Sequence, residues 1–307
     1  MVDILLATYN GERFLREQID SLLSQTYQNI RILIRDDGST DGTISIVREY
    51  EKQHPDKVKF ITDDKKGGSS AKNFFLLCSY ATSEYAMFCD QDDFWLPNKV
   101  KVTLEKMRSE EEKIGADRPI LVFSEYSVVD ENLKLLPVKE SHNQVAAYKL
   151  DLPNLLVQNY VTGCLAMVNR ALYTKMGVYT EAIQMHDWWA ALISVSLGTL
   201  LHLPEKTMLY RQHGGNVVGA VDVKSFAYRL ERIKDPKTRK SKEVYRAQAQ
   251  VFLERYGDIL GEKENRVFSD FLHMYESRWK VVRVYRMIRG GFVKSDFVRI
   301  LGQIWFA

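Results

Sequence analysis

Residues 88–95 read FCDQDDFW and place three aspartates within four positions, between an apolar run and a Phe-Trp pair. Carboxylates at such close spacing repel one another unless a cation lies between them or a proton is shared. Mg²⁺ and Mn²⁺ prefer oxygen ligands and usually take one or two carboxylates together with substrate phosphates. Asp90 and Asp92 are therefore predicted to form a divalent metal site, whereas Asp93 is predicted to cap a helix that begins near Pro97.

The strands that must position these acids alternate with helical patterns in the first hundred residues, which indicates a parallel α/β sheet with right-handed crossovers. Leu15, Ile19, Leu22 and Leu23 recur at helical spacing, which predicts a helix with Asn10 as its N-cap, and a second helix is predicted to begin at Asp41. Because ligands of open α/β sheets lie beyond the carboxyl ends of the strands, the polar strand ends are expected to share one crevice. The strands read DILLAT, IRILIRDD, VKFITDD and YAMFCDQDD, with polar ends at 8–10, 36–37, 63–64 and 90–92.

The rest of the chain divides into a mixed part and a basic helical part. Within 120–217, the runs ILVFSEYSVV, CLAMVNR, TLLHLP and TMLYRQH are typical of strands, and HDWWAALISVSLG is typical of a helix. Since no Pro/Gly/Ser-rich linker precedes this part, it is predicted to pack on the same sheet as the first. The predicted divisions of the chain are 1–119, 120–222 and 223–307.

The composition excludes several classes of protein. With 307 residues, 45% hydrophobic and 27% charged, the chain is globular rather than disordered or fibrous. The three cysteines stand singly in apolar stretches, which disfavours a disulfide framework or a zinc site and favours a reducing compartment. The first residues lack the pattern of a signal peptide, and no apolar run reaches the length of a membrane span. Neither the P-loop pattern nor the GxGxxG fingerprint is present.

The order of six motifs along the chain is more informative than any one of them. ATYNG, DDGSTDGT, GGSSAKN, DQDD, HDWW and YRQHGGN follow one another. Over roughly residues 2–217 this set resembles the family 2 glycosyltransferases of the GT-A fold. The resemblance implies a mixed, mostly parallel central sheet flanked by helices, with a C-terminal helical extension. It also implies that 1–119 binds a nucleotide sugar and that 120–222 binds the acceptor and carries the catalytic groups.

The resemblance implies a donor-binding role for residues after the first three strands. Ala7, Tyr9 and Asp37 match positions that hold the nucleobase, with Tyr9 able to stack on a pyrimidine and Asp37 able to accept a hydrogen bond from its ring N–H. Lys72 stands where the family often has arginine, and its point charge would lie near the diphosphate. The alternative for Lys72 is a solvated lysine on a helix.

The DQDD motif corresponds to the DxD-type motif of the family. By this match Asp92 binds Mn²⁺ or Mg²⁺, while Asp90 and Gln91 contact the donor, with Asp90 at the ribose or at a metal-bound water. His213 in YRQHGGN matches a residue that approaches the metal or the diphosphate after the donor binds. The Gly-Gly pair after it suggests a loop able to close.

The HDWW motif places Asp187 where the family has its general base, and the alternative is an N-cap of the helix that follows. Trp188 or Trp189 is expected to form an apolar wall for a sugar ring, with the other tryptophan in the core. Gly163 in VTGC lies in a stretch that lines the acceptor side in such enzymes.

The C-terminal segment combines positive charge with apolar stripes at helical spacing. Residues 278–307 contain seven Lys/Arg and one acid, whereas 1–223 holds 24 Lys/Arg against 30 Asp/Glu. The stripes are formed by Val281, Val284, Tyr285 and Ile288, and by Phe297, Leu301, Ile304 and Trp305. Such helices suit an anionic membrane surface. Packing on the body or on a second subunit of a homo-oligomer is the alternative, and nucleic acid is not expected because no nucleic-acid module accompanies the charge.

HDWW, YRQHGGN and the basic tail together look like the bacterial rhamnosyltransferases that extend cell-wall or O-antigen polysaccharide on a lipid carrier. This likeness implies an inverting transfer from dTDP-L-rhamnose to a lipid-linked acceptor, at the inner face of the cell membrane. Residue spacing does not distinguish rhamnose from the hexose of a UDP-sugar. Two other readings are a sugar-nucleotide pyrophosphorylase, whose glycine-rich N-terminal loop is missing, and a non-catalytic nucleotide-binding scaffold protein.

Overall fold

The structure is a computed structural model that describes residues 1–65, 67–137, 150–214, 236–295 and 297–306. Two predictions fall outside the described residues: the closing loop after Gly214, and the boundary placed between 222 and 223. The side chain of Phe297, which belongs to the second apolar stripe of the C-terminal segment, is outside them as well.

The described residues form one eight-stranded sheet in the order β3-β2-β1-β4-β7-β6-β8-β5. β1 pairs in parallel with β2 and β4, and β2 with β3, so the four strands predicted in the first hundred residues are confirmed. β7 runs antiparallel to β4 and β6, which makes the sheet mixed. The strands are β1 (Val2–Thr8), β2 (Ile30–Asp36), β3 (Val58–Phe60), β4 (Tyr85–Cys89), β5 (Phe94–Trp95), β6 (Ile120–Val129), β7 (Ala166–Asn169) and β8 (Thr199–Arg211).

Helices cover the sheet because each presents an apolar face to it. Leu15, Ile19 and Leu22 of the first helix are fully buried, and burial contributes about 1.5–3 kcal/mol for each such side chain. The helices that accompany the sheet are α1 (Leu15–Leu23), α2 (Thr43–Gln53), α3 (Ser70–Tyr80), α4 (Lys99–Ile114), α5 (Leu152–Leu155), α6 (Arg170–Tyr173) and α7 (His186–Leu197).

The predicted starts of the first two helices were wrong. Asn10 does not cap α1; it has a positive φ of 47°, and its Oδ1 accepts a hydrogen bond from the Thr40 N–H at 2.8 Å. The side chain therefore joins two loops at the strand ends, which is a role that asparagine in the left-handed region can fill. α2 begins at Thr43, whose N–H donates to Asp41 Oδ1 at 3.0 Å.

The two strands predicted within 199–213 are one strand, β8, with an irregular middle. β8 pairs in parallel with β6, from Ile120 opposite Thr199 to Val129 opposite Arg211, and the register shifts between Phe123 and Tyr126. Over this span β8 contains three more residues than β6. Pro204 lies where the pairing is interrupted. Proline is tolerated there because no hydrogen bond of the ladder needs the N–H that proline lacks.

Four helices of the C-terminal extension pack beside the second half of the sheet. They are α8 (Pro236–Tyr256), α9 (Glu262–Glu276), α10 (Lys280–Arg289) and α11 (Phe297–Phe306). Phe252 stacks on Phe268 with ring centroids 4.7 Å apart and meets Trp189 of α7 edge-on at 5.3 Å. The extension thus shares a core with the sheet. Among the described residues, no helix has the length and hydrophobicity needed to cross a membrane.

Candidate active site

The end of β1 presents Tyr9 to solvent, with 58% of its surface exposed. Its backbone is held from both sides by one side chain: the Tyr9 N–H donates to Gln91 Oε1 at 2.8 Å, and Gln91 Nε2 donates to the Tyr9 carbonyl at 2.9 Å. A Cβ at Gly11 would lie 2.2 Å from Gln91 Oε1, so the loop must pass close to this amide. Gln91 therefore positions Tyr9, and its predicted direct contact with a donor stays a prediction.

The two aspartates at the end of β2 have different partners. Asp36 accepts hydrogen bonds from Thr8 Oγ1 at 2.8 Å and from the Ser39 N–H at 2.7 Å, so it organises the turn after the strand. Asp37 reaches across to the next loop and accepts from the Gly68 N–H at 2.8 Å. Ala7 is opposite Arg35 in the β1–β2 register and is partly buried. Ala7 thus lies near the end of β1 and Tyr9 directly after it, while Asp37 follows the adjacent parallel strand β2.

Asp63, the first acid after β3, pairs with an arginine of β2, and its predicted place in the crevice stays a prediction. The Arg35 guanidinium is 2% exposed and donates to Asp63 Oδ1 at 2.8 Å and to Asn73 Oδ1 at 2.8 Å. This hydrogen-bonded ion pair lowers the pKa of Asp63 to about 2. The pair keeps the Asp63 carboxylate ionised and fixed against the Arg35 guanidinium.

Lys72 lies in the first turn of α3. Its backbone N–H donates to the N-cap Ser69 Oγ at 3.3 Å, and its side chain is partly buried. The start of a helix is favourable for an anion because several N–H groups there lack partners within the helix. The diphosphate role of Lys72 stays a prediction.

Asp93 is not a helix cap, which corrects the sequence-based prediction. α4 begins at Lys99 after Asn98, and Asp93 is fully buried, with Oδ1 accepting from the Arg211 N–H at 3.2 Å. Burial, with the charges of Asp92 and Asp90 adding to it, raises the pKa of Asp93 well above its usual range. The short pairing of β5 with β8 carries this residue inward, and local sequence could not indicate it.

Two acids of the DQDD motif and one cysteine bring three potential metal-ligand atoms together. The ligand atoms of Asp90, Asp93 and Cys164 are all within 4.8 Å of one another. Burial, together with the charge of Asp92, raises the pKa of Asp90 to about 7, and the charge of Asp187 adds to the effect. The cluster therefore holds negative charge at a cost, which a bound cation would relieve.

The structure brings the two predicted metal ligands into contact. His213 Nε2 lies 2.8 Å from Asp92 Oδ2, although the two residues are far apart in the chain. The end of β8 is fixed by the buried Arg211, whose Nε donates to the Asp92 carbonyl at 2.9 Å. Neighbouring ligands about 2.1 Å from an octahedral ion lie about 3 Å apart, so this oxygen and nitrogen fit such a site. The carboxylate suits Mn²⁺ or Mg²⁺, whereas the imidazole is a ligand that transition metals take more readily than Mg²⁺.

Asp187 lies in the first turn of α7, after the N-cap Met185, so it is not itself the cap. It is 7% exposed and both carboxylate oxygens are engaged. Oδ2 accepts from the Gly163 N–H at 3.0 Å, and Oδ1 accepts from Asn159 Nδ2 at 3.0 Å and from the Trp188 N–H at 2.6 Å. Burial raises the pKa of Asp187 to about 6, and these hydrogen bonds limit the rise.

Gly163 contacts Asp187 directly through its N–H, and its predicted place on the acceptor side stays a prediction. A Cβ there would lie 2.5 Å from His186 Nε2 and 3.5 Å from the Asp187 Cβ. His186 stacks on Phe74 at 3.9 Å, and within the described chain its ring nitrogens have no hydrogen-bond partner. Burial lowers the pKa of His186 to about 3, so it is a neutral ring that fills the space behind Gly163.

Both tryptophans of HDWW are buried. Trp188 Nε1 donates to the Leu155 carbonyl at 2.6 Å and the ring meets Tyr245 edge-on at 5.6 Å. Trp189 is fully buried, and its Nε1 donates to the Met176 carbonyl at 3.2 Å. Trp189 is thus the core residue, while Trp188 retains 8% of its surface exposed, and its acceptor contact stays a prediction.

Sequence reasoning missed Asn159 and Arg211. Asn159 is a single amide in an ordinary-looking loop, and no local pattern indicates that it donates to a carboxylate 28 positions away. Arg211 does carry a signal, because a charged residue stands at the end of the apolar run TMLY, just before His213. A buried charge requires partners, and here they include the Asp92 carbonyl and Glu17.

Together the mixed sheet, the acidic pair with its histidine, and a separate buried carboxylate define a glycosyltransferase of the GT-A type. Residues 3–175 match the family model described as "Glycosyl transferase family 2". Since this match covers more than half of the chain, the protein belongs to glycosyl transferase family 2.

Curated relatives include glycosyltransferases of several bacteria. An uncharacterized glycosyltransferase of Rickettsia typhi is 28% identical over 200 residues, which cover 64% of this chain and 59% of the relative. The chain therefore spans less than two thirds of that relative's length. The dTDP-rhamnosyl transferase RfbG of Shigella flexneri is 28% identical over 227 residues, which cover 70% of this chain and 74% of RfbG.

Solved structures share the fold at low sequence identity. S. aureus TarS 1-349 in complex with UDP-GlcNAc has a TM-score of 0.62 at 16% identity, covering 94% of this chain and 81% of that one. The mannosyltransferase PcManGT of Pyrobaculum calidifontis, in complex with GDP-Man and Mn²⁺, has a TM-score of 0.52 at 15% identity, covering 94% and 85%. The likeness confirms the predicted GT-A fold class.

Proposed function

We propose that this protein is an inverting, divalent-metal-dependent glycosyltransferase that moves L-rhamnose from dTDP-L-rhamnose to a lipid-linked saccharide precursor of a bacterial cell wall or O-antigen. The observation that carries the proposal is the contact of Asp92 with His213 at 2.8 Å, beyond the carboxyl end of β4. The likeness to dTDP-rhamnosyl transferase RfbG supports the choice of donor.

The donor would bind across the carboxyl ends of β1, β2 and β4. Tyr9 offers an exposed ring on which a pyrimidine can stack, and Asp37 offers a carboxylate to the base's ring N–H. Asp92 and His213 would hold Mn²⁺ or Mg²⁺, with Asp90 beside them. A divalent ion, when bound, neutralises the diphosphate as it leaves.

Asp187 would act as the general base. Its carboxylate takes the proton of the acceptor hydroxyl while that oxygen bonds to the anomeric carbon, and the bonding pair of the breaking C–O bond leaves with the diphosphate. Attack opposite the leaving group inverts the anomeric centre. Three donated hydrogen bonds fix the carboxylate, which still has lone-pair capacity for one incoming proton.

The acceptor would lie on the side of Gly163 and the exposed edge of Trp188. Gly163 leaves room for the His186 ring, which a Cβ there would meet at 2.5 Å, and its N–H donates to Asp187 Oδ2, so a glycine at this position keeps the carboxylate in place. A lipid-linked acceptor is anchored in a bilayer, so the enzyme would work at the inner face of the cell membrane.

A donor panel with the purified protein tests this proposal. Release of nucleoside diphosphate is measured for dTDP-L-rhamnose, UDP-glucose, UDP-galactose and UDP-GlcNAc, each with Mn²⁺ and with EDTA. We expect release from dTDP-L-rhamnose that stops on chelation. Release from a UDP-sugar alone would move the assignment to the UDP-hexose transferases, undiminished release in EDTA would remove the metal role of Asp92, and donor binding without release would indicate a nucleotide-binding scaffold protein.

A further inference from the structure

One face of α10 exposes large apolar side chains to solvent. Val281 is 81% exposed, and Tyr285 and Ile288 are each 59% exposed. These residues recur four and three positions apart, so they lie on one side of the helix. Met287, on the opposite side, is 2% exposed. The helix therefore packs by one face and leaves an apolar stripe uncovered on the other.

The adjoining helix α11 continues this exposed apolar surface. Leu301 is 48% exposed and Trp305 is 71% exposed. Lys280 Nζ donates to the Trp305 carbonyl at 2.7 Å, which places the end of α11 beside the start of α10. Trp279, 63% exposed, stands at the same junction. Tryptophans with this exposure are typical of the boundary between lipid and water.

Positive charge surrounds the apolar stripe. The Arg278 guanidinium lies 4.9 Å from the Trp279 ring centroid, and Lys280 Nζ lies 5.5 Å from that of Trp305. Arg286 and Arg289 on α10 are exposed too. Cations that border exposed aliphatic and aromatic groups suit a surface with anionic headgroups and hydrocarbon directly beneath.

A lipid surface explains this combination better than the alternatives. A nucleic acid offers phosphates and bases, but no place to bury the exposed Val281, Ile288 and Leu301. A second protein chain would have to supply both an apolar groove and acids matched to each cation. An anionic bilayer meets both demands without a specific geometry.

We propose that the exposed face of α10 and α11, defined by Trp279, Val281, Tyr285, Ile288, Leu301 and Trp305 with their surrounding cations, docks the protein on an anionic membrane. We call it the docking face. Its use in reaching a membrane-anchored acceptor rests on the proposed function, whereas lipid binding itself does not.

The docking face is connected to the base through a short set of contacts. Ser295, between α10 and α11, exchanges two hydrogen bonds with Gln158: Gln158 Nε2 donates to Ser295 Oγ, and the Ser295 N–H donates to Gln158 Oε1, each at 3.1 Å. The next residue, Asn159, donates to Asp187 Oδ1. Phe292 is 1% exposed and packs on Phe271. Docking through α10 and α11 would therefore be linked, through Ser295 and Gln158, to the loop whose Asn159 donates to Asp187.

Vesicle binding by the full chain tests the docking face. Co-sedimentation is measured with vesicles of phosphatidylcholine alone and with a third of phosphatidylglycerol added, for the natural protein and for the double variant Val281→Asp, Ile288→Asp. The matched control is Val178→Asp, Ile259→Asp, which changes two aliphatic residues of similar exposure (79% and 57%) elsewhere on the protein. We expect binding only to the anionic vesicles, reduced at least ten-fold in the first variant and unchanged in the control.

Three outcomes would overturn the proposal: equal binding by both double variants, equal binding to neutral vesicles, or a natural dimer that the first variant converts to monomer without lipid. The last is read by sedimentation velocity over a range of protein concentrations. Release of nucleoside diphosphate with a water-soluble acceptor is followed in parallel, because it needs no vesicle. Lipid binding without such release would support the docking face and reject the proposed function. Release without lipid binding would support the proposed function and reject the docking face.

Discussion

The two acidic regions of the site, the Asp90–Asp92 cluster and Asp187, differ in how each holds a buried negative charge. The cluster crowds carboxylates together, and the mutual repulsion of Asp90 and Asp92 adds to burial in raising the pKa of Asp90 to about 7. Asp187 has three hydrogen-bond donors, and burial raises its pKa only to about 6. The first environment favours a cation, whereas the second favours a single proton.

In the proposed reaction, this difference suits the two regions to two separate tasks. A cation between carboxylates can stabilise the charge of a leaving diphosphate, and a lone carboxylate held by amides can accept a proton from a hydroxyl. Crowded carboxylates would be poor proton acceptors, and a lone carboxylate with three hydrogen-bond donors would be a poor cation site. The variants described next separate the two regions, beginning with the largest expected effect.

Asp187→Asn should lower the rate of transfer by about 10³-fold or more, because an amide cannot accept the hydroxyl proton. Donor affinity, measured by calorimetry with Mn²⁺, should stay within two-fold. The folded protein should not lose stability. Since the pKa of Asp187 is about 6 when folded against 3.8 for a free carboxyl, its ionisation costs stability as the pH rises through that window.

The asparagine variant has no carboxylate to ionise, so it avoids this cost. Its amide has only one oxygen, so one of the three donors that bind Asp187 loses its acceptor. The gain exceeds the loss, and we expect the unfolding free energy at pH 7, measured by chemical denaturation, to be about 1 kcal/mol higher. The control is Asp270→Asn, at a carboxylate 64% exposed on α9. Retained turnover in Asp187→Asn would reject the base assignment, and a large loss of stability would indicate a structural role instead.

Asp92→Asn should reduce activity about 10²-fold through loss of metal affinity, and His213→Ala about ten-fold. The reason is that the two side chains supply neighbouring ligand atoms at 2.8 Å. Binding of Mn²⁺ with nucleotide present, followed by electron paramagnetic resonance, checks this directly. If excess Mn²⁺ does not restore any activity to His213→Ala while binding is normal, His213 acts on the diphosphate rather than on the metal.

Tyr9→Ala should raise the KM for the donor about ten-fold with little change in kcat, since stacking on a base contributes about 1–3 kcal/mol. Tyr9→Phe retains the ring and should behave as the natural protein. Steady-state kinetics over a range of donor concentrations measures both. A defect in Tyr9→Phe equal to that of Tyr9→Ala would show that the hydroxyl, and not the ring, carries the interaction.

Asn159→Ala should have the smallest effect and should show it only at low pH. For the natural protein kcat/KM should fall as the pH drops below about 6, because protonated Asp187 cannot act as a base. Removing the Asn159 donor destabilises the carboxylate, so this acid limb should move to higher pH, with a few-fold loss at pH 6. A pH profile of kcat/KM measures it, with exposed Asn132→Ala as the control. An unshifted limb would remove Asn159 from the base's environment.

The strands of the first half could be predicted because each is an apolar run that ends in polar or acidic residues, a pattern that depends on neighbours in sequence. The pairing of Asp92 with His213 followed from the order of motifs and could not have been derived from spacing alone. Asp93 shows the limit of local reasoning. Its place before Pro97 is typical of a cap, yet β8 supplies the Arg211 N–H that binds it inside the protein.

The second half was harder to predict because its contacts join distant segments. Pro204 and the charged residues beside it divide β8 into two apolar runs, so the sequence indicates two strands where there is one. Asn159 and Gly163 reach Asp187 from a loop whose composition carries no signal. The alternative for Asp187, an N-cap, is wrong because the helix begins at His186 with Met185 as its N-cap, two residues before Asp187.

The irregular pairing of β6 with β8 leaves β8 with three residues more than the segment of β6 that it pairs with. At about 3.3 Å per residue, this is about 10 Å of reach along the sheet. Three is an odd number, and side chains alternate between the faces of a strand, so the irregularity also decides which residues at its far end turn inward. Deleting a single residue near Pro204 would send Gln212 to the place of Arg211 and pull His213 away from Asp92. Such a deletion would separate the two predicted metal ligands without changing either of them.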